Sequence, residues 1–206
     1  MELLQDSSKL VHASMADAKR IIDKICPGGG AQNMSGLVLG DDVIVLDARA
    51  RAALMGFVDK LRQACDPRVD ISHGSHDEQV HVSEAELASL VGANQQRRLM
   101  LLFGTPDKIT IRRVQATAQA SLIAFHTDTG SFKTMQVPIN KEGPDYEGGR
   151  LVFATPDGFV TPRRLPGSYT IHHWYMPHGV TELRSGVRYS LFLMTLSQSV
   201  PTGPAE

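Results

Sequence analysis

The chain has almost no cysteine. Among its 206 residues only Cys26 and Cys65 occur, which excludes a disulfide framework and fits a reducing compartment. It also lacks a charge excess: 21 basic against 22 acidic residues give a formal net charge of -1, so no global field favours nucleic acid or an anionic membrane. No apolar run approaches the roughly 18 to 20 residues of a membrane span. The start Met1-Glu2-Leu3-Leu4-Gln5-Asp6 lacks the basic head and apolar middle of a secretion signal. The expected location is the cytoplasm. Aromatics are sparse at 6%, and the one tryptophan, Trp174, is expected to pack rather than to serve as a stacking platform. The length suits one domain with an ample core, read as a helix-rich part over 1–104, a β core over 105–196 and a tail over 197–206.

What is present divides the chain by period. Ile21, Ile22 and Ile25 recur at helical spacing after Ser14, a candidate N-cap, and Pro27-Gly28-Gly29-Gly30 ends that helix. The glycine run follows a helix and has no Lys-Ser/Thr after it, so it reads as a turn and not as a phosphate cradle. Leu37-Val38-Leu39 and Val43-Ile44-Val45-Leu46 flank Gly40-Asp41-Asp42 in the pattern of a hairpin. Asp47 caps a helix to about Ala64 with Leu54, Phe57, Val58 and Leu61 on one stripe. From Asp66 to Val82 the chain is polar, with His73, His76 and His81 among acids. A solvated loop, able to overhang an active-site mouth, is expected there in preference to a second metal site. Ser83-Glu84-Ala85-Glu86 is a capping box that opens a helix to about Phe103.

After Gly104 the period becomes extended. Strands are expected at 109–114, 121–125, 134–139, 149–154, 168–175 and 187–196. Helices followed by a run of strands point to an α+β arrangement, and the strands suit a double-sheet jelly roll. If Arg188 and Ser190 face inward on the last strand, Phe192 and Met194 do too. Val187, Tyr189, Leu191 and Leu193 then need an outer cover, which the N-terminal helices must supply.

The chemistry centres on His126-Thr127-Asp128. Side chains two apart on a strand share a side, so an imidazole and a carboxylate can meet at one point. A third ligand must come from elsewhere. Two His and one carboxylate on one face of an octahedron suit non-haem Fe(II). His178 follows Asp128 by 50 residues, and Arg188 follows ten further on.

The order His126-x-Asp128, Tyr146-Glu147-Gly148-Gly149-Arg150-Leu151-Val152-Phe153, His178-x-Val180 and Gly186-Val187-Arg188-Tyr189-Ser190-Leu191 resembles the Fe(II)- and 2-oxoglutarate-dependent oxygenases, in particular the prolyl-4-hydroxylase-like branch. The resemblance covers roughly residues 109–196. It implies a double-stranded β-helix, or jelly-roll, core with the N-terminal helices outside one sheet. It further implies His126, Asp128 and His178 as iron ligands; His172 and His173, six and five residues before His178, are rivals for the third position, but neither is followed at ten residues by an Arg. Arg188 would take the distal carboxylate of 2-oxoglutarate and Ser190 would add a hydroxyl. Members of the branch often carry a tyrosine about ten residues before the first His, where this chain has Gln115-Ala116-Thr117-Ala118-Gln119. The implied cofactors are Fe(II), 2-oxoglutarate as cosubstrate, O2 and ascorbate.

The implied reaction hydroxylates an unactivated C–H bond and releases succinate and CO2. Asp128 speaks for hydroxylation over halogenation, since halogenating relatives replace that carboxylate. An amino acid or amino-acid-derived small molecule is the first substrate reading, because the chain is short. A prolyl or other residue of a protein or peptide is the second, and a nucleic-acid demethylase is disfavoured by the missing basic stripe. Outside enzymes, the rival is a non-catalytic jelly-roll binding protein. Arg150, Arg163 and Arg164 are expected near the mouth, solvated or on a substrate carboxylate. Gly148-Gly149 marks a close approach of chain or ligand.

Overall fold

Two of the four described helices open on a side-chain cap that precedes an apolar stripe. The computed structural model describes residues 15–25, 36–71, 76–118 and 122–196. Helix α1 spans Met15–Ile25. Helix α2, Ala48–Gln63, starts at Asp47, whose Oδ1 accepts from the Ala50 N–H at 2.8 Å, and it buries Leu54, Val58 and Leu61. Helix α3, Glu84–Val91, opens with the full Ser83/Glu86 capping box. The helix expected over 83–103 is in fact two, because Gly92 at φ 84 leaves helical geometry and α4 resumes over Ala93–Phe103. Ser14, the 27–30 turn, Cys26, His73 and the 197–206 tail lie outside the described residues.

Two antiparallel sheets face each other. The strands are β1 (Leu37–Gly40), β2 (Val69–Ile71), β3 (Asp77–His81), β4 (Lys108–Gln115), β5 (Ile123–His126), β6 (Ser131–Pro138), β7 (Tyr146–Gly148), β8 (Leu151–Thr155), β9 (Gly158–Val160), β10 (Tyr169–His173), β11 (His178–Val180) and β12 (Leu183–Leu196). The major sheet runs β1-β10-β6-β12-β4-β3-β2 with β7 on β12, and the minor sheet runs β5-β11-β8-β9. This is the expected α+β jelly-roll arrangement.

The alternation of β12 decides what each face does. Tyr189, Leu191 and Leu193 face outward into one core with Ile109, Ile111, Met135 and Val137 of the sheet and Leu54, Val58, Leu87, Leu99 and Phe103 of α2, α3 and α4. The cover demanded by a sheet apolar on both faces is therefore present. An ion pair and a hydrogen bond fix its edge: the Arg113 NH1 lies 2.8 Å from Glu78 Oε2, and the Tyr189 hydroxyl donates to Asp59 Oδ1 at 2.6 Å. Helix α1 departs from the expectation. Its Ala18 and Ile22 pack on Ala154, Phe125 and Phe159 of the minor sheet, so helices cover both sheets and not one.

Two loop readings also fail. Val43–Leu46 forms no strand; β1 pairs with β10 instead, and the Val45 and Leu46 N–H groups donate to the Gly167 carbonyl at 2.7 and 3.3 Å. Tertiary partners outcompete the local hairpin. The polar 66–82 segment supplies β2 and β3, which extend the major sheet beside β4. Its acids misled the reading because they are buried in ion pairs: Asp77 with Arg112, and Glu78 with Arg113 and Arg62.

Candidate metal centre and cosubstrate cavity

His126 ends β5 and stands directly opposite His178 on β11. Each imidazole donates its Nδ1–H to a backbone carbonyl two residues earlier, Ala124 O for His126 and Met176 O for His178, both at 2.9 Å. Those bonds fix the tautomer and leave both Nε2 lone pairs free. Both Nε2 atoms lie 3.6 Å from Asp128 Oδ1. The three ligand atoms lie within 4.8 Å of one another, and this is the single such group of three or more among the described residues.

Asp128 is aimed through its other oxygen. Oδ2 accepts from Thr134 Oγ1 at 2.9 Å and from His172 Nε2 at 3.0 Å. Ser131 Oγ is 2.7 Å from Thr134 Oγ1; with the Thr134 proton directed to Asp128, Ser131 is the donor. Oδ1 is thereby turned to the two histidines. His172, fully buried, is therefore taken by the carboxylate and not available as the third ligand. His173 lies on the other face, against Phe132 and Tyr175.

Charge follows the same geometry. Burial opposes ionisation of Asp128, but the approach of His126 and His172 outweighs it and holds its carboxyl well below the usual range. Burial, then the neighbouring His172, pushes His178 down to about 3, which keeps its ring neutral. Metal binding needs an anionic carboxylate and neutral imidazoles; His178 meets that requirement, whereas the Asp128 carboxylate beside His126 raises the pKa of that imidazole, so a metal ion would compete there with a proton.

The three residues line a cavity of about 440 Å³ whose floor is the inner face of β4, β6 and β12. Arg188 lines it too, 8% exposed, with NH1 donating to the Gly149 carbonyl and Nε without any hydrogen-bond partner among the described residues. No carboxylate pairs with it among the described residues. Burial, with Arg164 and Arg112 nearby, pushes the guanidinium down to about 9. Such an orphaned buried cation is what a ligand carboxylate would complete. Arg112, by contrast, is held by Asp77.

Ser190 is buried on the same strand face but is not among the lining residues. Thr110 and Gln136 also line the cavity. Lys108 also lines it, with no ion pair among the described residues. Trp174, expected to pack, is 47% exposed. Gly148-Gly149 does mark a close approach: a Cβ on Gly148 would sit 2.1 Å from the Glu182 carbonyl oxygen. Arg150, Arg163 and Arg164 line a separate cavity.

Sequence comparison missed what the fold shows. No protein-family model matches the chain, and no curated protein matches it. Solved structures do. A 2OG-Fe(II) oxygenase family oxidoreductase from Burkholderia pseudomallei aligns at TM-score 0.55 and 17% identity, over 88% of this chain and 89% of that one. A prolyl hydroxylase from Trichoplax adhaerens, solved with a hypoxia inducible factor oxygen degradation domain peptide fragment, aligns at TM-score 0.60 and 12% identity, over 95% and 96%. The non-heme alpha-ketoglutarate-dependent epimerase SnoN from nogalamycin biosynthesis aligns at TM-score 0.53 and 18% identity, over 87% and 82%. The fold is that of the 2-oxoglutarate- and Fe(II)-dependent oxygenases, prolyl hydroxylases among them.

Proposed function

We propose that the chain is an Fe(II)- and 2-oxoglutarate-dependent dioxygenase that hydroxylates an unactivated C–H bond of an amino acid or amino-acid-derived small molecule, with release of succinate and CO2. One observation carries this: two free Nε2 atoms and one carboxylate oxygen converge in the same cavity as a buried arginine that lacks an acid. His126, Asp128 and His178 would hold Fe(II) on one side and leave the other open. Arg188 would hold the distal carboxylate of 2-oxoglutarate. Bound iron supplies the activation of O2; the side chains supply position. Thr134 and His172 keep Asp128 Oδ1 aimed, and Met176 O and Ala124 O keep both imidazoles in the ligating tautomer.

Size and charge support a small acidic or zwitterionic substrate. A cavity of about 440 Å³ is toward the small end of ligand pockets, about 300 to 1,000 Å³, and it must take the cosubstrate as well. Lys108 offers a cation to a substrate carboxylate. A peptide is the second reading, favoured by the half-exposed Phe132 and Trp174; the Trp174 N–H donates to the Phe132 carbonyl and its own carbonyl accepts from the Asp128 N–H. The test incubates the iron-loaded protein with 2-oxoglutarate and a panel of amino acids and peptides, measuring succinate and product mass. Succinate with the gain of one oxygen atom is the expected result. Absence of succinate under every condition would leave a binding protein, and turnover without mass change would replace hydroxylation by another outcome.

A further inference from the structure

A second cavity, of about 280 Å³, is lined by Glu142, Tyr146, Gly149, Arg150, Arg163 and Arg164 among others. It shares a wall with the first: the Gly149 carbonyl accepts from Arg188, and Arg164 NH1 donates to Gln136 Oε1 at 2.9 Å. We propose that this second cavity binds a small oxyanion, a carboxylate or phosphate group, on the Arg164 guanidinium, with the Tyr146 hydroxyl as a further donor.

The charge count leaves Arg164 over. Glu142 is taken by Arg150, whose Nε lies 2.8 and 2.9 Å from its two carboxylate oxygens. Arg163 reaches outward to Asp42 at 3.3 Å, with both side chains exposed. Arg164 has one neutral partner, Gln136, and no carboxylate within salt-bridge distance among the described residues. Its backbone is left-handed at φ 52, a conformation disfavoured for a residue with a Cβ. Asp41 holds it there, its two carboxylate oxygens accepting from the Arg163 and Arg164 N–H groups at 2.9 and 3.3 Å. The turn thus directs a lone guanidinium inward. Burial pushes that guanidinium down, offset only in part by Tyr146 and Asp41, so an anion in the cavity would complete it.

Occupancy has a consequence that rests on the 2-oxoglutarate reading. Arg164 adds to the positive potential at Arg188. An anion on Arg164 cancels that contribution and weakens binding of a carboxylate at Arg188.

The binding itself is tested without iron or 2-oxoglutarate, so its outcome is independent of that reading. Metal-free protein is titrated by calorimetry with inorganic phosphate and, separately, with malonate; whichever binds identifies the oxyanion. Saturable binding is expected, at least about tenfold weaker in Arg164→Met through loss of the charge-assisted bonds, and retained in Arg188→Met. Tyr146→Phe, which removes only the hydroxyl, should weaken it severalfold and serves if Arg164→Met does not fold. Failure of both anions to bind, or binding lost in Arg188→Met and kept in Arg164→Met, would overturn the proposal.

Discussion

Replacing Arg188 by Met should move two measurements in opposite directions. The guanidinium is buried, its Nε is unpartnered, and its pKa is pushed down to about 9 by burial and by Arg164 and Arg112. Without cosubstrate it therefore costs the fold something on the order of a few kcal/mol, at about 1.4 kcal/mol per pKa unit. Met keeps most of the stem volume and removes the charge. Against that relief stands the Gly149 carbonyl, which loses its donor, a loss of about 1 to 3 kcal/mol. The metal-free variant should accordingly melt at the parent temperature or a few degrees higher, at roughly 2 to 4 °C per kcal/mol for a chain of this size. Cosubstrate binding should move the other way. Removing one side of a buried charge pair costs about 2 to 5 kcal/mol, which is roughly 30-fold or more in Kd. The assay is an anaerobic titration of 2-oxoglutarate against iron-loaded protein, beside thermal unfolding of the metal-free form. Arg188→Lys should recover part of the affinity, since it restores charge without the fork. An unchanged Kd in Arg188→Met would refute the cosubstrate role, and a large fall in Tm would make Arg188 a structural residue.

Four further outcomes are expected. His126→Ala, Asp128→Ala and His178→Ala should each abolish Fe(II) binding, read by metal analysis, while circular dichroism stays native, because the apolar core does not include them. His172→Phe keeps the ring against Phe153 and His178 but removes the donor to Asp128; iron affinity should fall about 10- to 100-fold, and unchanged affinity would mean that Thr134 alone orients the carboxylate. Lys108→Ala should raise KM for a carboxylate-bearing substrate roughly tenfold, in line with about 1.5 kcal/mol for a charged hydrogen bond, with 2-oxoglutarate-dependent background turnover unaltered. Gly148→Ala should lower stability by more than about 1 kcal/mol, from a positive φ of 77 and a Cβ 2.1 Å from the Glu182 oxygen; an unchanged urea midpoint would contradict that geometry.

Much of the site was legible because it is written in short periods. The inward and outward sets of β12 follow from strand alternation, and Asp47 and Ser83 declare their helices through side-chain caps; His126 and Asp128 come together although β5 ends at His126 and Asp128 lies beyond it. What stayed hidden depends on partners distant in sequence. His172 reads as a rival ligand until the fold sets it on Asp128 Oδ2, 44 residues away. Asp77 and Glu78 read as solvated until Arg112 and Arg113, 35 positions on, bury with them. Neither pairing leaves a local signal, since a polar strand buried by ion pairs has the composition of a loop. Val43–Leu46 erred in the opposite sense: an apolar run with turn residues before it resembles a hairpin arm, but its N–H groups had a better acceptor in Gly167.

Strand β12 binds three neighbours, β4, β6 and β7, and its two faces have different obligations. A one-residue insertion or deletion near Gly186 would rotate every later side chain to the opposite face. Tyr189, Leu191 and Leu193 would enter the cavity, and Arg188 would be driven against the helices. From Val187 to Thr195 the pairing with β4 and β6 has no irregularity to absorb the slip, the register shifts lying at Leu183/Ser185 and Thr195/Leu196. Descendants of this chain can therefore change the residues of β12 but not its count, and length variation must collect in the connections on either side.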